Sequence, residues 1–325
     1  MSLDLLPIHP SQGGAGDSIS RRDGSQPKPA WLKVPLPGGE EYSRLKNMTR
    51  ELKLNTVCEE ARCPNMGECW SGSQATMTLM VLGDECTRRC RFCAVKTVDA
   101  AAAPDPDEPK NVGVAIGELN LGYVVITSVD RDDLEDGGAA HYAECVREIH
   151  QRSSRTIVET LIPDYTGEPL ATLMEAEPEV LAHNVEVVPR LQRKIRDPRC
   201  SFERSLETLA GARALSKEVV TKSSLMLGLG EEHHEVIESM ERLRGAGCEL
   251  LTLGQYLRPS QQHAPVIEYI TPERFEEYRI LGEAMGFQHV ASGPLVRSSY
   301  KAGELFAERF VRERRGLSSP AEGQL

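Results

Sequence analysis

"TMTLMVLGDECTRRCRFC", residues 76–93, begins as a short apolar run and ends in three cysteines. Residues 76–82 have the composition of a strand, and Gly83-Asp84 punctuates its end. Cys86, Cys90 and Cys93 follow in what reads as a loop, with Phe92 directly before the last of them to shield the group from water. A strand that delivers three thiols at its C-terminal end raises two questions: which sheet it belongs to, and what the thiols hold.

Downstream, "YVVITSV" (123–129), "TIVETLI" (156–162), "HNVEVV" (183–188), "TKSSLMLG" (221–228) and "LLTLGQY" (250–256) repeat the pattern, which with 76–82 makes six expected strands. "AAHYAECVREIHQR", "SFERSLETLAGARALS" and "HHEVIESMERLRGAG" lie between them as helices, the last ending in glycine. Such alternation implies parallel strands with right-handed crossovers. A full eight-unit barrel takes ~250 residues, so six units fit an incomplete (β/α)6 barrel of the TIM type. A doubly wound sheet is less apt, because polar residues recur where a barrel collects its site. Thr127, Ser128 and Asp130 end the second strand, Glu159 and Asp164 the third, Asn184 and Glu186 the fourth, Lys222 the fifth, and Gln255 and Arg258 the sixth. Glu159, Asn184, Lys222 and Arg258 are thereby expected to contact cofactor or substrate.

Four regions follow. Residues 1–28, rich in Gly, Ser, Gln and Pro, are expected to be a mobile tail, 29–75 an N-terminal extension, 76–292 the barrel and 293–325 a C-terminal extension. In the first extension Tyr42, Leu45, Met48 and Leu52 have helical spacing and lead to "CEEARCPNMGECW", residues 58–70, whose Cys58, Cys63 and Cys69 are expected in loop. The two groups take six of the nine cysteines.

A net charge of -11 argues against nucleic acid or an anionic membrane as partner, and no apolar run is long enough to span a bilayer. The first residues show neither a secretory pattern nor an acid-free, Arg-rich presequence, so a cytoplasmic location is expected. In that compartment clustered thiols are metal ligands or redox groups rather than bridges. Structural zinc wants four ligands, and no histidine lies near either group. Three thiolates suit a 4Fe-4S cluster with one iron open. The alternative outside enzymes is a scaffold with two structural zinc sites.

Cys-x3-Cys-x-aromatic-Cys after the first strand of a partial barrel resembles the radical S-adenosylmethionine (SAM) superfamily. "PAWLKVPLPGGEEYSRLK", "TVCEEARCPNMGECW", "DECTRRCRFCAV", "ITSVDRDDLEDGG", "LGQYLRPS" and "VRSSY" together resemble the lipoyl synthase family over nearly the whole chain. Two departures are Ser224, where that family usually has Gly, and Lys301, where many members have His. The resemblance implies two 4Fe-4S clusters. Cys86, Cys90 and Cys93 would hold the one that binds and cleaves SAM. Cys58, Cys63, Cys69 and Ser299 would hold an auxiliary cluster that serves as sulfur donor. Gly137 and Gly138 would let backbone approach the methionine moiety. The reaction implied is insertion of two sulfur atoms at C6 and C8 of a protein-bound octanoyl-lysine, carbons that no acid, base or polar nucleophile activates.

Implied partners are octanoylated lipoyl carrier domains (acyltransferase subunits of 2-oxoacid dehydrogenases and the glycine cleavage H protein), a low-potential electron donor such as flavodoxin or ferredoxin, and an iron-sulfur carrier for cluster repair. A biotin synthase-like sulfur inserter is the rival among enzymes, but there the sacrificial cluster sits on barrel strands, whereas here the second triad precedes the barrel. Cys145, Cys200 and Cys248 read as buried, inert thiols. His183 fits a substrate contact or a structural imidazole equally. Arg190, Arg193, Lys194, Arg196 and Arg199 in "PRLQRKIRDPR" (189–199) form a basic segment that either steers an acidic carrier or is merely solvated.

Overall fold

The computed structural model describes residues 27–34, 38–61, 63, 65–70, 77–299 and 301–316, with backbone alone for 301–303. Most of the expected tail, and Tyr300, lie outside the described residues.

The chain enters through α1 (Glu40–Glu51), whose Leu45 and Met48 are buried as the helical spacing requires. A two-residue strand β1 (Asn55–Thr56) leads into α2 (Val57–Glu60), where the Thr56 hydroxyl accepts the Glu59 N–H at 3.2 Å as a helix cap. α3 (Met66–Cys69) follows. Cys58 and Cys69 therefore stand on short helical turns rather than in loop, because a threonine cap at Thr56 and the turn from Asn65 close the backbone locally.

Next come β2 (Thr78–Val81), β3 (Glu85–Cys86), β4 (Lys96–Thr97), α4 (Glu108–Leu119), β5 (Tyr123–Ser128), α5 (Ala139–Arg152), β6 (Ile157–Leu161), α6 (Gly167–Met174) and β7 (Val180–Ala182). α7 (Gln192–Ile195), α8 (Phe202–Leu215), β8 (Val220–Leu227), α9 (His233–Gly245), β9 (Leu250–Gln255), α10 (Pro272–Ala284), β10 (His289–Gly293) and α11 (Lys301–Arg315) complete the described order. The main sheet runs β1-β2-β5-β6-β7-β8-β9-β10, parallel from β2 to β10, with β1 antiparallel at the edge. It is an open, barrel-like α/β sheet, as expected. It holds a seventh parallel strand, β10, that the apolar-run criterion did not mark.

The fourth strand also differs from expectation. It is Val180–Ala182, three residues upstream of "HNVEVV", and residues 183–188 are its polar C-terminal loop. Glu186 there adopts φ 65°, which ends the extended run.

The strands divide their residues between two layers, which is why they read as unbroken apolar runs. Val124, Ile126, Val158, Leu181 and Leu251 face the main core. Tyr123, Ile157, Val180, Val220 and Leu250, each the first residue of its strand, face inward and pack on Ala307 and Val311 of α11. That helix thus closes the N-terminal mouth of the barrel. Arg312 donates to the Gly122 and Arg155 carbonyls, while Arg314 and Arg315 pair with Glu249 and Glu179. The opposite, C-terminal mouth stays open.

Candidate active site

At the C-terminal mouth lies a cavity of about 520 Å³, within the range of ligand pockets. Its wall includes both cysteine groups, Cys58, Cys63, Cys69 and Cys86, Cys90, Cys93, together with Ser298 and Ser299. Two sequence-distant triads thus open on one chamber.

The loop between Cys86 and Cys93 is fixed on every side. β3 and β4 pair in parallel and clamp its ends. Thr87 N–H donates to Asp130 O at 2.9 Å, Arg91 N–H to Ile195 O at 2.7 Å, and Ala264 N–H to Arg91 O at 2.8 Å. His263 Nε2 lies 2.9 Å from Cys93 O. Arg88, between the first two cysteines, pairs with Asp130, Asp132 and Asp164 at 3.3, 3.0 and 2.5 Å. Burial alone would raise the Asp164 pKa, but His183, Arg196 and Arg88 hold its carboxyl well below the usual range. Asp130 has less compensation, and burial pushes it up.

Backbone donors already point at the sulfurs. Arg88 N–H reaches Cys86 Sγ at 3.4 Å and Asp197 N–H reaches Cys90 Sγ at 3.3 Å. Burial pushes the Cys86 thiol up to about 12 and Cys93 to about 11. Metal binding would displace those protons.

In the other triad burial likewise raises Cys58 to about 11 and Cys69 to about 12. The fully buried Trp70 turns its indole N–H toward the Cys58 sulfur. A donor aimed at a buried thiol fits an anionic sulfur at that position. Asn65 Nδ2 donates to Leu295 O at 2.7 Å, tying this segment to the Ser298–Ser299 loop. Each group supplies three thiols, a donor set that fits a 4Fe-4S cluster with one iron left open.

The expected contact residues separate. Asn184 and Arg258 line the chamber, Asn184 donating to Glu186 at 3.1 Å and Arg258 to His263 O at 3.0 Å. Glu159 and Lys222 are absent from its wall. They form an ion pair of 2.7 Å inside the barrel, with Tyr123 OH donating to the same carboxylate. They share the inward face with Leu161 and Ser224 of the chamber wall but stand one layer deeper, which corrects their reading as cofactor contacts. Gly137 and Gly138 also miss the main chamber. Gly137 borders a smaller cavity of about 260 Å³, and Gly138, at φ 85°, begins α5 where a Cβ would stand 2.5 Å from Leu82 Cδ1. Their glycine identity serves the turn and close packing.

His183 is a buried structural imidazole as much as a wall residue, bonded to Ile162 O and Ser205 Oγ. Cys145 and Cys248 are buried away from the chamber, as expected. Cys200 is not inert packing: it lines the chamber and its sulfur accepts from Arg88 Nη1 at 3.3 Å. Sequence reading also passed over Arg88 and Glu304 in the wall, and Arg196, expected on a basic surface segment, lines it too. Arg88 had a signal, since a cation inside a cysteine loop near "DRDD" has partners waiting.

The radical SAM superfamily profile matches residues 80–243, and that of the N-terminal domain of lipoyl synthase of the radical SAM family matches residues 11–63. Similar curated proteins include mitochondrial lipoyl synthases of Sorghum bicolor (50% identical, covering 94% of this chain and 80% of that one) and Trichoplax adhaerens (51%, covering 89% and 84%). Lipoyl synthase 1, mitochondrial, of Pisum sativum is 51% identical, covering 90% and 80%. Among solved structures, methylornithine synthase aligns with TM-score 0.54 at 13% identity, covering 89% of this chain and 81% of that one. The FeFe-hydrogenase maturase HydG from Carboxydothermus hydrogenoformans aligns with TM-score 0.53 at 15% identity, covering 78% and 58%. These two likenesses concern the fold. The mitochondrial names overturn the cytoplasmic expectation and point to the mitochondrion. Composition and folded architecture do not encode a compartment, which import machinery reads from a leader segment.

Proposed function

The chain belongs to the lipoyl synthase family of radical SAM enzymes, and from that membership we propose that its two cysteine triads hold separate 4Fe-4S clusters around one substrate chamber. Cys86, Cys90 and Cys93 would ligate the SAM-binding cluster, and Cys58, Cys63, Cys69 and Ser299 the auxiliary one. The observation that supports this reading is the common chamber lined by both triads and Ser299. When bound, these groups and SAM supply the one-electron chemistry and the sulfide needed to functionalise C6 and C8 of an octanoyl chain.

The protein's own residues do the rest. Backbone N–H groups of Arg88 and Asp197 stabilise anionic sulfur at Cys86 and Cys90. Arg88, held by three aspartates, keeps the ligand loop from collapsing as charge changes. Phe92, Val129, Leu161, Leu225 and Met226 make much of the wall apolar, suited to an aliphatic chain and to excluding water from a reactive carbon. Asn184 and Arg258 stand ready for polar ends of SAM. Gly137 and Gly138 act by fixing the turn before α5 rather than by touching SAM.

An octanoylated carrier domain is the substrate, presented at the mouth, where Arg193 and Lys194 are exposed. A low-potential donor such as flavodoxin or ferredoxin and an iron-sulfur carrier complete the cycle.

The test is anaerobic purification followed by reaction with SAM, reductant and an octanoyl-lysine peptide. Brown protein with about eight irons per chain and a doubly thiolated peptide by mass are expected. Colourless, zinc-loaded protein that gives no thiolated product would sink the assignment.

A further inference from the structure

Away from the chamber, α4 and α5 bring a carboxylate, an imidazole and a thiol together. Glu108 is the first residue of α4, and His141 and Cys145 stand four apart on one face of α5. One ligand atom from each of the three side chains lies within 4.8 Å of the other two. None of the three lines the chamber. Glu108 and Cys145 are buried, while the His141 side chain keeps 16% of its surface exposed. Glu108 Oε2 accepts the Leu82 N–H at 2.8 Å and stands 2.7 Å from His141 Nε2. Among the described residues no hydrogen bond reaches Glu108 Oε1.

Oxygen, nitrogen and sulfur in one buried group are donors for zinc rather than for magnesium or calcium, which take oxygen alone. Ligands at i and i+4 of a helix can meet one ion without bending the backbone. A ligating carboxylate is itself held by an outer hydrogen bond, and the Leu82 N–H supplies one to Oε2 while leaving Oε1 for the metal. We propose that Glu108, His141 and Cys145 bind a zinc ion, with water in the fourth position on the side where His141 meets solvent. Binding releases the thiol proton and the proton that joins His141 to Glu108, and the ion takes the place of that hydrogen bond. Its role is structural. Leu82 directly follows β2 and stands four positions before Cys86; Arg131 Nη1 holds its carbonyl at 3.3 Å, and Gly138 packs against its side chain. An ion shared by α4 and α5 therefore braces the root of the cysteine loop from outside the barrel. The site does not depend on what the two triads hold.

The experiment incubates the full-length, cluster-loaded chain anaerobically with one equivalent of zinc sulfate and removes unbound metal by gel filtration. Zinc is then measured by plasma mass spectrometry and by X-ray absorption at the zinc edge, to which iron does not contribute. About one zinc per chain is expected, with one sulfur at about 2.3 Å and three nitrogen or oxygen neighbours at about 2.0–2.1 Å. Cys145→Ala and His141→Gln should each weaken zinc binding at least about tenfold with iron content unchanged, since even outer partners of a metal are worth that much. If the alanine chain does not fold, Cys145→Ser, close in volume, carries the same expectation, because a hydroxyl is a poor zinc ligand. A wild-type chain that retains no zinc overturns the proposal. Zinc retained equally by the variants, or bound through three sulfurs, places the ion elsewhere and overturns it too.

Discussion

Ser298 and Ser299 carry the same side chain and line the same chamber, yet only Ser299 is assigned to the auxiliary cluster. Ser299→Ala is therefore expected to lower double thiolation strongly and Ser298→Ala only mildly. Ser299→Cys should still assemble both clusters and cleave SAM but stall before the second insertion, because a thiolate holds iron more firmly than a hard alkoxide. Mass analysis of unreacted, singly and doubly thiolated peptide decides it, and wild-type yield from Ser299→Cys would refute the need for a labile oxygen. Lys222 illustrates the opposite case, a residue whose strand-end position suggested chemistry. Its 2.7 Å pair with the fully buried Glu159 makes it structural. Lys222→Ala leaves that carboxylate buried and unpaired and is expected to cost about 3–5 kcal/mol, read as a lower urea midpoint under anaerobic conditions. Paired Lys222→Met and Glu159→Gln should recover most of it. A SAM contact would behave otherwise, losing SAM affinity while the urea midpoint stayed put.

Among the elements, β9 shows how a strand can set a distant loop. A Cβ on Gly254 would stand 2.1 Å from Val296 O, a backbone atom that cannot step aside without moving the Ser298–Ser299 loop. Gly254→Ala should thus reduce iron at the auxiliary site, lowering the total toward half while SAM cleavage persists; full iron content would show that the loop tolerates the shift. The α7 segment carries the surface argument. Of its five cations, Arg190 pairs with Glu235, Arg196 with Asp164, and Arg199 with Asp197 and Asp132. Arg193 and Lys194 are exposed, and no ion pair to either is present among the described residues. Charge reversal of these two should raise the KM for an intact acidic carrier domain and flatten its salt dependence, leaving a short octanoyl peptide unaffected. Equal KM values across salt would return the segment to ordinary solvated surface.

At the scale of the molecule, two separate cysteine groups converge on one chamber, and their functions should be separable. Replacing Cys86, Cys90 and Cys93 with Ala is expected to abolish reductive SAM cleavage. Replacing Cys58, Cys63 and Cys69 should leave uncoupled cleavage but no sulfur insertion. Lipoyl product from the second variant would remove the sulfur-donor role. α11 bears on both outcomes. It closes the barrel floor with Ala307 and Val311 and begins just after the Ser298–Ser299 loop, so the segment that seals the core is continuous in the chain with the proposed auxiliary-cluster serine.

Chain order and local spacing carried the strand-helix alternation, the two triads and the family, because these follow from covalent neighbours and periodicity. Cysteines three to six residues apart stay near one another whatever surrounds them. Depth along a strand needed the sheet. Glu159 and Lys222 face the barrel interior like Leu161 and Ser224, two residues further on, which line the chamber, but they stand one layer nearer the floor. The fourth strand shifted to Val180–Ala182 because the chain leaves the ladder after it, with His183 and Asn184 turned to the chamber, and rejoins β8 only at a single bridge from Glu186, at φ 65°, to Leu225. β10 was hidden because its half-polar "HVASG" is a strand only when β9 is there to receive its hydrogen bonds. Cys200 was read as inert for the same reason. Its contact with Arg88, 112 positions away in the chain, exists only once the α7–α8 connection folds over the cysteine loop.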